Sequence, residues 1–151
     1  MTAADEFVSN AHHYAEIVHE SRRQLKQPPD PHWSELSDQL REMKASQIAD
    51  IPHKLRAAGY TMAQADEQAT RPFDVSPETL ERLAELEHER WCAVKVKQGW
   101  RSGIALDAKA MTHPSLIPYA SLPESEKEKD REMVRRIPQQ LSALRLGVAR
   151  I

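Results

Sequence analysis

The chain repeats itself. Ala15-Glu16-Ile17-Val18-His19-Glu20 returns 69 residues later as Ala84-Glu85-Leu86-Glu87-His88-Glu89. Asp50-Ile51-Pro52-His53-Lys54-Leu55-Arg56-Ala57 returns 86 residues later as Arg136-Ile137-Pro138-Gln139-Gln140-Leu141-Ser142-Ala143. At the second spacing Trp33 falls on Tyr119 and Leu36 on Leu122. The two spacings differ by 17 residues, so the second copy carries an insertion, about Gly99 to His113. Each copy is too small to bury its own apolar face, and two copies packed about a pseudo-twofold axis solve that problem. The pattern predicts a mostly α protein, a single domain over residues 1–151, built from two helix–loop–helix units. The first copy covers 4–60, a polar linker 61–75 and the second copy 76–146.

Helical signals fill both copies. Phe7, Ala11, Tyr14, Ala15, Val18 and Leu25 recur at helical spacing, which predicts a first helix over 4–26. Gln27-Pro28-Pro29-Asp30-Pro31 ends it. A second helical run follows from Trp33 to about Ala58, kinked or split at Pro52. Ser76 and Pro77 suit the start of a long helix, Glu78 to Gln98 contain neither proline nor glycine, and Gly99 stops the run. Gly99-Trp100-Arg101-Ser102-Gly103-Ile104 reads as a short hairpin and His113 to Pro118 as extended chain. A last helix opens near Ser121 and runs to about Leu146, with Pro138 inside it.

The long helix carries one anomaly. Leu80, Leu83, Ala84, Trp91 and Val94 fall on one side of it, and Glu87 projects into that apolar side with His88 at its edge. A carboxylate there needs a partner. Asp130 and Arg131 of the last helix are the expected clasp, with Arg131 the donor to Glu87.

Charge and residue usage narrow the function. A net charge of −2 gives no pull toward a nucleic-acid polymer. The four glycines provide no phosphate-cradling loop. One cysteine, Cys92, excludes an internal disulfide and suggests a reducing compartment, and no apolar run reaches the ~20 residues of a membrane span. The expectation is a cytoplasmic protein away from membranes. Seven histidines form no metal-ligand spacing, and no nucleophile elbow or zincin motif occurs, so neither a metal, a cofactor nor an enzymatic activity is expected.

The second half resembles a known family. Leu86-Glu87-His88-Glu89-Arg90-Trp91, Gly99-Trp100-Arg101-x-Gly103, Asp107, Lys109, His113-Pro114-x-Leu116-Ile117-Pro118-Tyr119, Leu122, Glu126-Lys127-x-Lys129-Asp130-Arg131 and Ile137-Pro138 together are similar to the RyR domain, the repeat named after ryanodine receptors and found in small bacterial and phage proteins. The first half resembles a degenerate copy that keeps His19-Glu20 and Ile51-Pro52 but has Arg22 in place of Trp91. The resemblance implies paired, mostly helical units with a short β-hairpin, facing each other across a cleft. It implies no enzymatic activity, adenine-nucleotide and small-molecule binding in receptors, and sensing of nucleotide-derived signals in prokaryotes.

A binding site follows from these residues. Aromatic faces stack on bases and Arg clamps a phosphate, which points to Trp91, Trp100, Arg101, His113 and Tyr119. Trp91 and Trp100 have an alternative role as core and hairpin anchors. His88 lies beside this set, and Arg22 and Trp33 are the expected contributions of the first copy. The expected function is a non-enzymatic module that senses or sequesters a small nucleotide-like ligand between its repeats. The alternatives are a protein-interaction or homo-oligomerisation module without a small ligand and, third, a hydrolase acting on a nucleotide signal.

Overall fold

The computed structural model describes residues 2–65 and 72–151. Most of the described chain is helical. In order come α1 (Ala3–Ser9), α2 (Ala11–Arg22), a 3-10 turn at Arg23–Leu25, another at Trp33–Glu35, α3 (Asp38–Ala49), α4 (Ile51–Ala57) and β1 (Tyr60–Gln64). Then follow α5 (Pro77–Lys97), β2 (Arg101–Ser102), β3 (Thr112–His113), a 3-10 turn at Tyr119–Ser121, α6 (Glu124–Arg135), α7 (Ile137–Ala143) and β4 (Leu146–Arg150).

The 86-residue spacing recurs in these bounds. Shifting the turn at Trp33–Glu35, then α3, α4 and β1, by 86 residues gives the turn at Tyr119–Ser121, α6, α7 and β4, end for end. Both prolines, Pro52 and Pro138, stand in the first turn of their helices, where a missing N–H costs nothing. They therefore start α4 and α7, so the second run is split at Pro52, and the expected last helix is split in the same way before Pro138. Asn10 likewise splits the expected first helix, because its side chain turns back to the Glu6 carbonyl at 2.8 Å.

Two compact units divide the chain. The first comprises Met1–Val75 together with Arg136–Ile151, the second Ser76–Arg135. Thus α7 and β4, the end of the second copy in sequence, belong to the first unit. There β1 and β4 pair antiparallel, with Met62 opposite Val148. Those two residues are themselves equivalents at the 86-residue spacing, so a local pseudo-twofold axis passes through their pair. Leu55 and Leu141, equivalent on α4 and α7, are completely buried in this unit. Ile48, Ile51, Tyr60, Ile137 and Val148 are buried in it as well. Truncating either leucine to alanine costs about 2–5 kcal/mol. The strand pair was not anticipated. The stretch expected as a polar linker from 61 begins inside β1, and its residues 66–71 lie outside the described ones.

In the second unit α5 packs against α6, and Leu83, Ala84, Val94, Tyr119, Leu122 and Val134 are buried. Ser76 caps α5, its Oγ accepting from Thr79 N at 3.1 Å. The expected hairpin over Gly99–Ile104 is corrected. β2 does not fold back on itself but pairs in parallel with β3 across the insertion. Gly103 permits the approach, since a Cβ there would stand 2.6 Å from Thr112 Cβ.

Gly59 follows α4 at φ +85°, and its equivalent after α7, Arg145, holds the same left-handed region at φ +60°. No atom would touch a Cβ at Gly59, so only backbone strain opposes one. Gly59→Ala is expected to cost about 1–2 kcal/mol in urea unfolding, and Arg145→Gly to be neutral or mildly stabilising.

Candidate functional site

Within the second unit a groove of about 960 Å³ runs beside α5. One wall is a stripe of α5 at helical spacing: Glu85, Glu89, Cys92, Ala93 and Val96. The remaining lining runs from Leu116 through Ala120, where Pro118 is extended and leads into the 3-10 turn at Tyr119–Ser121. Lys97 and Ser102 stand at one end. The lining is mostly apolar, with carboxylates, an ammonium and a hydroxyl around it.

His88 holds these two parts of the lining together. Its Nε2 lies 2.7 Å from the Ile117 carbonyl oxygen and its Nδ1 3.4 Å from Asp130 Oδ2. A carbonyl only accepts, so Nε2 carries a proton, and the carboxylate favours a second proton on Nδ1. Burial pushes the His88 pKa down, but the Asp130 carboxylate, the Ile117 carbonyl and Glu87 outweigh it, and the pKa stands above the ordinary histidine value. The Cys92 Sγ sits 3.3 Å from Nε2. Burial, Asp130 and Glu89 push its thiol pKa up, so it is a protonated lining group rather than a thiolate nucleophile.

Glu87 is buried, but its expected partner is corrected. Arg90, one turn on, grips it through Nη2–H···Oε2 at 2.6 Å and Nε–H···Oε1 at 3.0 Å. Arg131 instead takes Glu81, donating from Nε at 2.7 Å and from Nη2 at 2.8 Å. Tyr119 donates to the same carboxylate at 2.6 Å. Arg131 and the Tyr119 hydroxyl hold the Glu81 pKa down at about 2. The local spacing decides the exchange: a helical i,i+3 pair reaches Glu87 without crossing the apolar seam that Arg131 would have to enter. Asp130 meets His88 as noted, so the α5–α6 clasp is made by His88–Asp130 and Glu81–Arg131.

The expected site residues are partly assembled. His88 and Tyr119 line the groove. Trp91, His113 and Trp100 form an adjoining aromatic run. Trp91 stacks on His88 with centroids 5.7 Å apart, meets His113 edge-on at 4.9 Å, and His113 meets Trp100 at 6.4 Å. Lys95 caps the run, its ammonium 4.5 Å from the Trp100 ring. His113 is also spoken for, accepting from Ser115 N at 3.0 Å through Nδ1. These rings contact one another in sequence, His88 to Trp91 to His113 to Trp100. Arg101 is exposed on β2, next to groove-lining Ser102. Arg22 and Trp33 lie in the first unit. Trp33 is buried against His19 there, and Arg22 donates to Gln139 Oε1 at 3.2 Å. Glu85, Glu89, Val96 and Lys97 were not anticipated as lining. Their i,i+4 recurrence on an otherwise exposed helix face was the available signal.

Two outcomes follow. Glu87→Ala leaves the Arg90 charge in a largely buried position, and urea unfolding is expected to show a loss of about 3 kcal/mol. Because the folded-state pKa of His88 is raised, its contribution to stability is complete below the unfolded value of about 6.5 and is lost as pH rises through the folded value. The stability gap between wild type and Asp130→Asn should therefore be widest near pH 5 to 6 and narrow above it.

Among the described residues no helix is long and apolar enough to cross a membrane. The RyR domain model matches residues 74–150, from just before α5 through β4, a span that contains every residue lining the groove. That is half of the chain, and the chain belongs to the RyR domain family.

Proposed function

We propose that the second unit is a non-enzymatic module that binds a small nucleotide-derived ligand in the groove beside α5. The observation that carries this is the groove itself. A cleft of about 960 Å³ with an apolar floor and a few polar groups at its edge is the form small-molecule sites take. Leu116, Ile117 and Val96 offer a base an apolar surface. Glu85 and Glu89 can accept from ribose hydroxyls, and Lys97 with exposed Arg101 can meet a phosphate. Catalysis is poorly served by the same groups. Both His88 nitrogens are engaged, and the Cys92 thiol is held protonated. The site so defined uses this unit's residues alone.

A thermal-shift panel of adenine dinucleotides, cyclic nucleotides and ADP-ribose derivatives tests the reading. At 100 times its dissociation constant a true ligand adds about 2.7 kcal/mol of stability. Val96→Arg places a long side chain in the groove from a position 62% exposed, so it should remove the shift without unfolding the protein. Chromatography should recover the ligand unchanged; a converted ligand would support a hydrolase instead.

One observation favours a second reading. Ile104 is fully exposed, and Leu106 and Val96 are 64% and 62% exposed, more apolar surface than a short insertion needs. If no nucleotide shifts the melting curve, a protein-interaction or self-associating module is the better account. Ile104→Asp with Leu106→Asp should then abolish concentration-dependent sedimentation.

A further inference from the structure

Helix α1 has no counterpart in the second copy. Carried back at the 69-residue spacing it falls on residues 72–78, and 72–76 lie outside any helix. A capping box at Thr2 starts α1, and the buried ring of Phe7 anchors it in the first unit. The added helix borders a pocket of about 260 Å³. Ala3, Glu6 and Phe7 line it from α1, Tyr14 from α2, and Met62 and Leu146 from the paired strands β1 and β4.

Two polar groups of this lining are unanswered. Tyr14 stands where the second copy has the completely buried Leu83, yet it is only half-buried. Its hydroxyl has no hydrogen-bond partner among the described residues. The exposed Glu6 carboxylate has no ion-pair partner among them either, and no cationic side chain lines the pocket. The rings of Phe7 and Tyr14 lie 5.1 Å apart. A carboxylate and an aromatic face both attract a cation, and a phenol oxygen accepts from an ammonium. Met62 and Leu146 offer apolar contact to the carbon body that carries it. The size limits the occupant. At ~30 Å³ per water the pocket equals about nine waters, below the range of drug-sized ligands, which suits a molecule of about ten non-hydrogen atoms.

We propose that this pocket binds a small organic amine, its ammonium met by the Glu6 carboxylate and the Tyr14 hydroxyl and its body set against Phe7, Met62 and Leu146. The site shares no residue with the groove beside α5 and does not depend on that groove's function. The test titrates the full chain, labelled with nitrogen-15, with phenethylamine and follows the backbone amide resonances. Two probes of like size serve as comparison, the neutral 2-phenylethanol and the anionic phenylacetate. Phenethylamine should give saturable shifts at α1, Tyr14 and β1, and the other two should bind more weakly. Glu6→Gln should weaken the amine about fivefold, the upper end for an exposed ion pair, and Tyr14→Phe should weaken it less. Ala3→Trp fills the pocket from an exposed position and should abolish the shifts while the spectrum stays folded. Glu16→Gln, exposed on α2 outside the pocket, and the groove variant Val96→Arg should leave the titration unchanged. No saturable shift at these residues would overturn the site. So would equal binding of the alcohol and the amine, or an amine titration that Glu6→Gln and Ala3→Trp both leave as it is in the wild type.

Discussion

In each copy a buried histidine reaches from a helix to a backbone carbonyl two residues before an aromatic turn. His19 Nε2 meets the Pro31 carbonyl and His88 Nε2 the Ile117 carbonyl, both at 2.7 Å. The rings of Trp33 and Tyr119 then lie 5.9 and 6.2 Å from their histidines. The carbonyl belongs to a segment outside any helix or sheet, and burying it unpaired would cost about 1–3 kcal/mol. The histidine satisfies that oxygen, and so sets how far the aromatic turn can stand from the helix. In each copy the next helix, α3 or α6, begins three residues after that turn ends.

The copies diverge around this shared bond. In the second, Asp130 faces the remaining ring nitrogen and the histidine becomes a doubly donating strut for the groove wall. In the first, Lys44 occupies the corresponding position. Charge has changed where packing has not, since Leu36 and Leu122, or Leu55 and Leu141, remain buried equivalents.

Much of the fold is legible in the chain because its signals are local. Pro52, Pro138 and Gly99 act through their own backbone and Ser76 through a side-chain cap three residues on, and the helices begin or end beside them. Glu87 was legible as a buried charge from helical periodicity alone. Its partner was not. Whether Arg90 or Arg131 answers it depends on which guanidinium can arrive without crossing the apolar seam between α5 and α6. Trp91 was legible as chemically rich, but its commitment to His88 and His113 is a matter of ring positions that spacing does not encode.

The sequence by itself determined the repeated order of short motifs, the helical content and the residues with chemistry to offer, since these rest on periodicity and on motifs read within a few residues. Tertiary structure alone decided three things. It paired β1 with β4 across more than eighty residues, a contact whose only local trace is two short strands of mixed burial. It laid β2 parallel to β3, because Gly103 lets the backbones approach where a tight reversal was expected. And it opened the groove between α5 and the segment Leu116 to Ala120. Each is a meeting of distant backbone segments, and the free energy of such a meeting depends on loop closure and burial summed over the whole unit, which no short window of residues contains.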